Sequence, residues 1–107
     1  MIPYAKHDVT EDDINAVVEV LRNQPITQGP KIGEFEKLFA QYVGSKYAVA
    51  VSNGTAALHL SAIALGVKPN SKVISTPLSF VASTNSVLYC SGSIEFVDIE
   101  FSTYQID

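Results

Sequence analysis

Two short segments carry the residues best suited to binding a ligand. Ser52-Asn53-Gly54-Thr55 follows an apolar run and precedes an Ala/Leu-rich stretch, and Thr76 to Phe80 occupies the equivalent place after a later run. Gly54 has no Cβ to obstruct a ligand, and Thr55 offers a hydroxyl at a helix start, where free N–H groups favour an anion. The pattern therefore predicts a phosphate-binding turn at Gly54 and Thr55.

Simpler roles are open for the same residues. Ser52 or Thr55 could merely cap a helix and Gly54 could make a turn, because one Gly-Thr pair at a helix start is a weak signal. No Gly-Lys-Ser/Thr follows, so the turn is not a Walker loop. Phe80 could be an ordinary core residue or, if it projects from a strand end, a ring that stacks on a flat heteroaromatic ligand. The distance between the two segments decides between these interpretations.

Other chemistry has less support. His7 and His59 lie far apart, and Cys90 has no partner at ligand spacing, so no metal site is predicted. His59 is expected to be a hydrogen-bonded core residue. Ser79 has no nearby His with an acidic partner, which leaves a serine hydrolase unsupported. Asp98 follows a predicted strand and stays open as a functional acid, although a solvated loop role is simpler.

Periodicity supplies the elements that must position these segments. Apolar spacing predicts one helix from about Thr10 to Asn23 and a second over Phe35 to Tyr42, closed by Gly44, with an extended connector between them. The rest of the chain alternates short apolar runs, read as buried strands, with two apolar stretches, read as buried helices. The predicted strands are 47–51, 73–75 and 94–97, and the predicted helices are 56–65 and 80–89.

The order α-α-β-α-β-α-β belongs to the α/β class. Strands that alternate with helices imply right-handed crossovers and a mainly parallel sheet covered on both faces. Ligands of such sheets gather beyond the carboxyl ends of the strands. Both candidate segments are predicted to lie there.

Composition narrows the classes of partner. The 107 residues have a net charge of −4, which argues against binding nucleic acid or an anionic membrane through bulk charge. With 47% hydrophobic and 17% charged residues, the chain is expected to pack as one modest domain. The charge-free stretch from Val73 to Ile94 is rich in Ser and Thr and includes Pro77, so it is not read as a membrane span. A single cysteine, Cys90, favours a reducing cytoplasm.

Several blocks, taken in order, resemble the DegT/DnrJ/EryC1/StrS family of sugar aminotransferases that use pyridoxal phosphate (PLP). The resemblance covers almost the whole chain, and its blocks are residues 2–4, 27–31, 35–36, 47–60, 76–85 and 96–99. It implies that residues 31–107 are the first part of the large domain of an aspartate-aminotransferase-type (fold type I) PLP enzyme. Residues 1–30 would form an N-terminal helix and an extended substrate-pocket segment.

The resemblance also implies roles for individual residues. Gly54 and Thr55 would hold the cofactor phosphate, and Phe80 would stack on the pyridine ring. Tyr4 and the connector residues would line the pocket for a sugar nucleotide. Those connector residues are Gln24, Pro25, Ile26 and Thr27.

The implied reaction moves an amino group, with glutamate as the expected donor, to a 4-keto sugar nucleotide in cell-surface polysaccharide biosynthesis. Within the family the chain looks most like the UDP-4-amino-4,6-dideoxy-N-acetyl-beta-L-altrosamine transaminases of the route to pseudaminic acid, and the enzyme is expected to be a homodimer. The family's Schiff-base lysine and its acidic partner lie downstream, and none of the six lysines here matches that context. The chain is therefore expected to be the N-terminal part of a longer enzyme, inactive alone, with unpaired sheet edges and a partly uncovered helix at 56–65.

Three alternative functions remain open. A relative in which histidine replaces the lysine would dehydrate its sugar instead. A non-catalytic module that binds a phosphorylated ligand or a partner chain is a hypothesis of another class. A mononucleotide-binding domain has less support, because the Gly-x-Gly-x-x-Gly turn is absent.

Overall fold

The computed structural model describes residue 2 and residues 5–107. These residues form two compact units, 1–50 and 51–107. The first unit contains α1 (Glu11–Asn23) and α2 (Pro30–Val43), and the second contains α3 (Gly54–Ala64), β1 (Lys72–Ser75), α4 (Ala82–Tyr89) and β2 (Ser93–Phe96).

Helix α1 begins with a capping box formed by Thr10 and Asp13, at the helix start that the sequence predicts. The hydroxyl of Thr10 accepts a hydrogen bond from the Asp13 backbone N–H at 3.3 Å, and the Asp13 carboxylate accepts one from the Thr10 N–H at 2.8 Å. These reciprocal bonds satisfy two donors that a helix start otherwise leaves unpaired. They also lower the pKa of the Asp13 carboxyl.

The connector between α1 and α2 turns back on itself, so the prediction of an extended segment is wrong. Gln28 has a φ of 52°, in the left-handed region. A Cβ added to Gly29 would overlap the carbonyl oxygen of Pro25, which shows how closely the two ends of the turn approach. Pro30 then begins α2, and Gly44 ends it with a φ of 71° at the predicted position.

Residues 47–51 are not a strand in the structure, which corrects the first strand of the predicted order. A strand needs a ladder of backbone hydrogen bonds, and within the described residues this segment has none. The exposed fractions still alternate, since Tyr47 is 74% and Val49 is 76% exposed while Ala48 and Ala50 are half-buried. The observed order is therefore α-α-α-β-α-β.

Helix α3 starts two residues earlier than predicted and ends at a Schellman motif. Gly66 has a φ of 79°, its N–H donates to Ile63 O at 2.9 Å, and the Val67 N–H donates to Ala62 O at 3.0 Å. Only Ala62 is buried in this helix, and Leu65 is 85% exposed. The prediction of a deeply buried helix is therefore wrong for the described chain, and the expectation that its apolar surface stays partly uncovered is confirmed.

The strands β1 and β2 pair in parallel around α4. Lys72 is opposite Ser93 and Ser75 is opposite Phe96, so the carboxyl ends of both strands lie at one edge. Helix α4 is the crossover between them and contacts both strands. The predicted β-α-β unit is confirmed, with its helix starting at Ala82 rather than Phe80.

Helices α3 and α4 meet near their C-terminal ends at Gly92. The left-handed residue of this turn is Ser91, with a φ of 59°, so Gly92 is not needed for its conformation. It is needed for space, because an added Cβ would lie 2.8 Å from Cγ1 of Val87 and 3.1 Å from Cγ1 of Val67. The end of α4 and the turn after α3 are therefore packed directly against each other.

Beyond β2 the chain folds into a small antiparallel turn that the sequence did not predict. Ile99 pairs with Ile106, and the Glu100 carboxylate inside the turn accepts hydrogen bonds from the Ser102 hydroxyl at 2.5 Å and the Thr103 N–H at 2.9 Å. The Ser102 hydroxyl, followed by Thr103, lowers the pKa of the Glu100 carboxyl to about 2. Glu100 thus acts as the internal acceptor of the turn.

We predict that Gly92→Ala lowers the free energy of unfolding by about 1–3 kcal/mol, because the branched side chains of Val87 and Val67 must shift to admit the methyl group. Gly33→Ala is the matched control. An added Cβ at Gly33 meets nothing within 4 Å, and alanine in a helix interior is favoured by roughly 0.5–1 kcal/mol. Urea unfolding of both variants checks the prediction, which fails if Gly92→Ala is as stable as the parent.

A second prediction concerns pH. Because the folded pKa of Glu100, about 2, lies below its ordinary value of 4.5, ionised Glu100 stabilises the turn above pH 4.5 and that contribution is lost as the pH falls toward about 2. A carboxyl NMR titration should show the lowered pKa, and Ser102→Ala should raise it by removing the hydroxyl donor. A midpoint near 4.5 in the unaltered protein would contradict the prediction.

Candidate functional site

The turn before α3 is capped by the side chain of Asn53, which was not predicted as the cap. Asn53 has an extended backbone, and its Oδ1 accepts a hydrogen bond from the Ala56 N–H at 2.9 Å. The simpler interpretation named Ser52 or Thr55 as the cap, and that is wrong. The preference for asparagine at this position could have identified it. Gly54 and Thr55 become the first two helical residues.

The first two amide groups of α3, those of Gly54 and Thr55, have no acceptor among the residues that the structure describes. The Ala56 N–H is bound by Asn53, but no described atom accepts from the N–H of Gly54 or Thr55. Helix α1 places three acidic residues in its first turn, whereas α3, like α2 and α4, has none. The positive end of the α3 dipole therefore remains available to an external anion.

Gly54 leaves open space in front of these amides. Its φ lies outside the left-handed region, and an added Cβ would meet nothing within 4 Å. Neither backbone conformation nor packing against described residues thus requires a glycine here. The exposed Gly54 and half-buried Thr55 fit a phosphate group, which needs close access to backbone N–H donors and a nearby hydroxyl.

Phe80 presents its ring outward at the carboxyl edge of the sheet. It is 75% exposed, so the interpretation as an ordinary core residue is wrong for the described chain. Its carbonyl accepts a hydrogen bond from the Ser83 N–H at 3.0 Å, which fixes the backbone of Phe80 to the start of α4. A groove of about 190 Å³ lies beside the ring, with Thr76 and Phe96 from the two strand ends in its wall.

The two turns belong to neighbouring helices of one unit. Helices α3 and α4 pack together, and His59 of α3 meets Tyr89 of α4 edge-on with ring centroids 5.2 Å apart. The C-terminal ends also meet, at Val67 and Gly92. Both N-termini therefore lie at the ends of the two helices that are remote from this junction.

The predicted sugar-nucleotide pocket residues lie in the first unit or outside the description. Tyr4 is outside the described residues. Gln24 ends α1 with an extended backbone, and its Oε1 is buried without a hydrogen-bond partner among the described residues. Ile26 is 73% exposed, and Pro25 and Thr27 belong to the same tight turn.

The remaining candidates have local roles. Asp98 is exposed, and its Oδ1 accepts from the Ile99 N–H at 2.9 Å. Ser79 pairs with the Ser83 hydroxyl at 3.1 Å, and Cys90 is a half-buried free thiol. The described residues contain no group of three or more potential metal ligands. None of their helices is both long enough and apolar enough to span a bilayer.

Comparison with known proteins identifies the class. The chain is 34% identical to Spr1654 from Streptococcus pneumoniae, solved in PLP and PMP forms, with a TM-score of 0.92 over 99% of this chain and 27% of that one. It is 29% identical to an E. coli GDP-4-keto-6-deoxy-D-mannose-3-dehydratase with bound hydrated PLP, with a TM-score of 0.87 over 98% and 28% of the two chains. The fold is that of the first part of a fold type I PLP enzyme, as predicted.

The family follows from the sequence matches. The chain belongs to the DegT/DnrJ/EryC1/StrS aminotransferase family, whose pattern matches residues 7–107. It is 39% identical to the spore coat polysaccharide biosynthesis protein SpsC of Bacillus subtilis, over 99% of this chain and 27% of that protein. It is 38% identical to a UDP-4-amino-4,6-dideoxy-N-acetyl-beta-L-altrosamine transaminase of Campylobacter jejuni, over 94% and 26%. The chain thus spans about a quarter of the length of the relatives that it matches.

Proposed function

We propose that this chain is the N-terminal part of a PLP-dependent enzyme that transfers an amino group, from glutamate, to a 4-keto sugar nucleotide in cell-surface polysaccharide biosynthesis. The family and the names of its relatives support this reaction class. The similarity to the Campylobacter jejuni transaminase favours a UDP-linked sugar of the pseudaminic acid route. The single cysteine is compatible with work in the reducing cytoplasm.

One observation carries the proposal. The amides of Gly54 and Thr55 lie at a helix start that has no acidic residue in its first turn, no acceptor among the described residues, and open space over Gly54. A phosphate dianion supplies the acceptors and the negative charge that this turn lacks. PLP carries such a phosphate, and solved relatives contain it.

Each residue of the proposed site has a distinct task. Gly54 and Thr55 hold the phosphate through their N–H groups and the Thr55 hydroxyl, and the bond from Asn53 to Ala56 keeps that turn in place. The exposed ring of Phe80 would stack on the pyridine ring, with a contribution of about 0.5–1.5 kcal/mol. When bound, PLP supplies an electron sink for breaking the bonds at the reacting carbon.

The sugar nucleotide is assigned to the first unit. Tyr4 and the turn from Gln24 to Thr27 would line its pocket. The Oε1 of Gln24 is buried and has no hydrogen-bond partner in the described part of the chain, which supports this assignment, because a ligand donor would offset the cost of its desolvation. The exposed Ile26 adds an apolar contact surface beside it.

We infer that the chain alone does not transaminate. The relatives are about four times its length. None of its six lysines, at positions 6, 31, 37, 46, 68 and 72, is in the sequence context that holds PLP in the family. The lysine, the acidic partner of the pyridine nitrogen and the contacts of a homodimer are assigned to the remaining part of the full-length enzyme.

A dehydratase is the second candidate, favoured by the likeness to the GDP-4-keto-6-deoxy-D-mannose-3-dehydratase. The proposed phosphate turn and stacking ring serve both reactions equally, so the residue at the lysine position separates them. A non-catalytic module that binds a phosphorylated ligand is the outcome if the full-length protein binds phosphate esters without any amino transfer or dehydration.

We predict that Gly54→Ala in the full-length protein weakens PLP binding roughly tenfold, equivalent to about 1.4 kcal/mol, without loss of stability. The new methyl meets no described atom but projects where the phosphate must approach. Gly33→Ala, on α2, is the control and should leave PLP affinity unchanged. Fluorescence titration with PLP and thermal unfolding measure the two quantities. Unchanged affinity in Gly54→Ala would remove the phosphate assignment.

A further prediction concerns the reaction itself. Full-length protein mixed with PLP and reduced with borohydride should yield a lysine adduct by mass spectrometry, and incubation with glutamate before reduction should abolish it. The 107-residue chain should yield no such specific adduct. Absence of the adduct from the full-length protein would exclude the aminotransferase and favour the dehydratase relative.

A further inference from the structure

The backbone of residues 47–51, just before the proposed phosphate-binding turn, is hydrogen-bonded by side chains and not by a neighbouring strand. The Glu36 Oε1 on α2 accepts a hydrogen bond from the Ala50 N–H at 2.8 Å, in a partly buried position. The Ser45 hydroxyl donates to the carbonyl oxygen of Tyr47 at 2.8 Å. These two bonds satisfy backbone groups that a neighbouring strand would otherwise satisfy.

Glu36 makes the longer-range of the two contacts. Ser45 reaches only two residues along the chain, whereas Glu36 and Ala50 are 14 residues apart. The other acidic residue of α2, Glu34, is exposed and pairs with Lys31 at 2.7 Å. Glu36 therefore has a tertiary contact, and Glu34 has only a local one.

The position of Ala50 gives this contact a consequence for the proposed site. Three residues separate Ala50 from Gly54, so the anchored backbone group lies just before the proposed phosphate-binding turn in the chain. Hydrogen bonds to a carboxylate are stronger than hydrogen bonds to a neutral acceptor. This strength suits the bond to Ala50, because residues 47–51 have no neighbouring strand among the described residues.

We propose that Glu36 is a positioning residue: its carboxylate anchors the Ala50 N–H and so restrains the chain that leads into the phosphate-binding turn. The effect on cofactor binding rests on the proposed function. The anchoring of Ala50 does not, because it concerns only the backbone of this segment.

The test compares Glu36→Ala, Glu36→Asp and Glu36→Gln in the full-length protein, with Glu34→Ala as the matched control. Hydrogen exchange of peptides that contain Ala50 reports the anchor, and PLP titration reports the site. Glu36→Ala should accelerate exchange at Ala50 and weaken PLP binding, each roughly tenfold. Glu36→Asp, which withdraws the acceptor by one methylene, should do the same. Glu36→Gln keeps an acceptor oxygen, so its exchange at Ala50 and its PLP affinity should stay close to those of the unaltered protein. Glu34→Ala should change neither the exchange at Ala50 nor the PLP affinity.

Unchanged exchange at Ala50 in both Glu36→Ala and Glu36→Asp would overturn the anchor, whatever the cofactor. Faster exchange with unchanged PLP affinity would overturn its positioning role. If Glu36→Ala does not fold, Glu36→Asp and Glu36→Gln decide the question. Failure of the unaltered protein to bind PLP is a different result: it removes the proposed function and leaves the exchange comparison valid.

Discussion

The proposed site depends on one physical requirement, the hydrogen bonds of the first amides of α3. Every α-helix starts with N–H groups that have no partner inside the helix. Helix α1 satisfies its own with the Thr10 and Asp13 capping box and an acidic first turn. In helix α3, Asn53 accepts a hydrogen bond from one amide only. Within the described chain the amides of Gly54 and Thr55 have no acceptor, and the space in front of Gly54 is open. In the function we propose, a bound anion supplies the missing acceptors.

A second requirement concerns apolar surface. The buried hydrophobic residues of the described chain are small: Ala40, Ala62, Ala82 and Val87. Larger apolar side chains remain outside, including Leu65 and Phe80. Among the described residues the sheet has only two strands, and residues 47–51 have side-chain anchors in place of a ladder. These features agree with a chain that matches about a quarter of the length of its relatives. We propose that the exposed apolar surface packs against the rest of a full-length enzyme.

Local physics explains which elements the sequence could predict. The start of α1 at Thr10 and the glycine C-cap after α2 each depend on residues within a few positions of one another. The β-α-β unit could be predicted because its two strands and its helix follow one another directly along the chain. The predicted strand at 47–51 failed because its ladder needs a partner that its own residues do not specify. The Gln24–Gly29 turn was missed because it depends on a left-handed Gln28, a conformation that glutamine seldom adopts. Gly54, Thr55 and Phe80 could be chosen from their positions, and the N-cap preference of asparagine could also have identified Asn53. The anchor at Glu36 could not be predicted from local sequence, because its partner is 14 residues away.

The central claim is that the α3 amides hold the phosphate of PLP. A crystal structure of the full-length protein with PLP measures it directly. The account predicts phosphate oxygens about 2.7–3.2 Å from the backbone nitrogens of Gly54 and Thr55, with the pyridine ring against Phe80. A phosphate bound elsewhere, with those two amides facing solvent or another part of the chain, would contradict it.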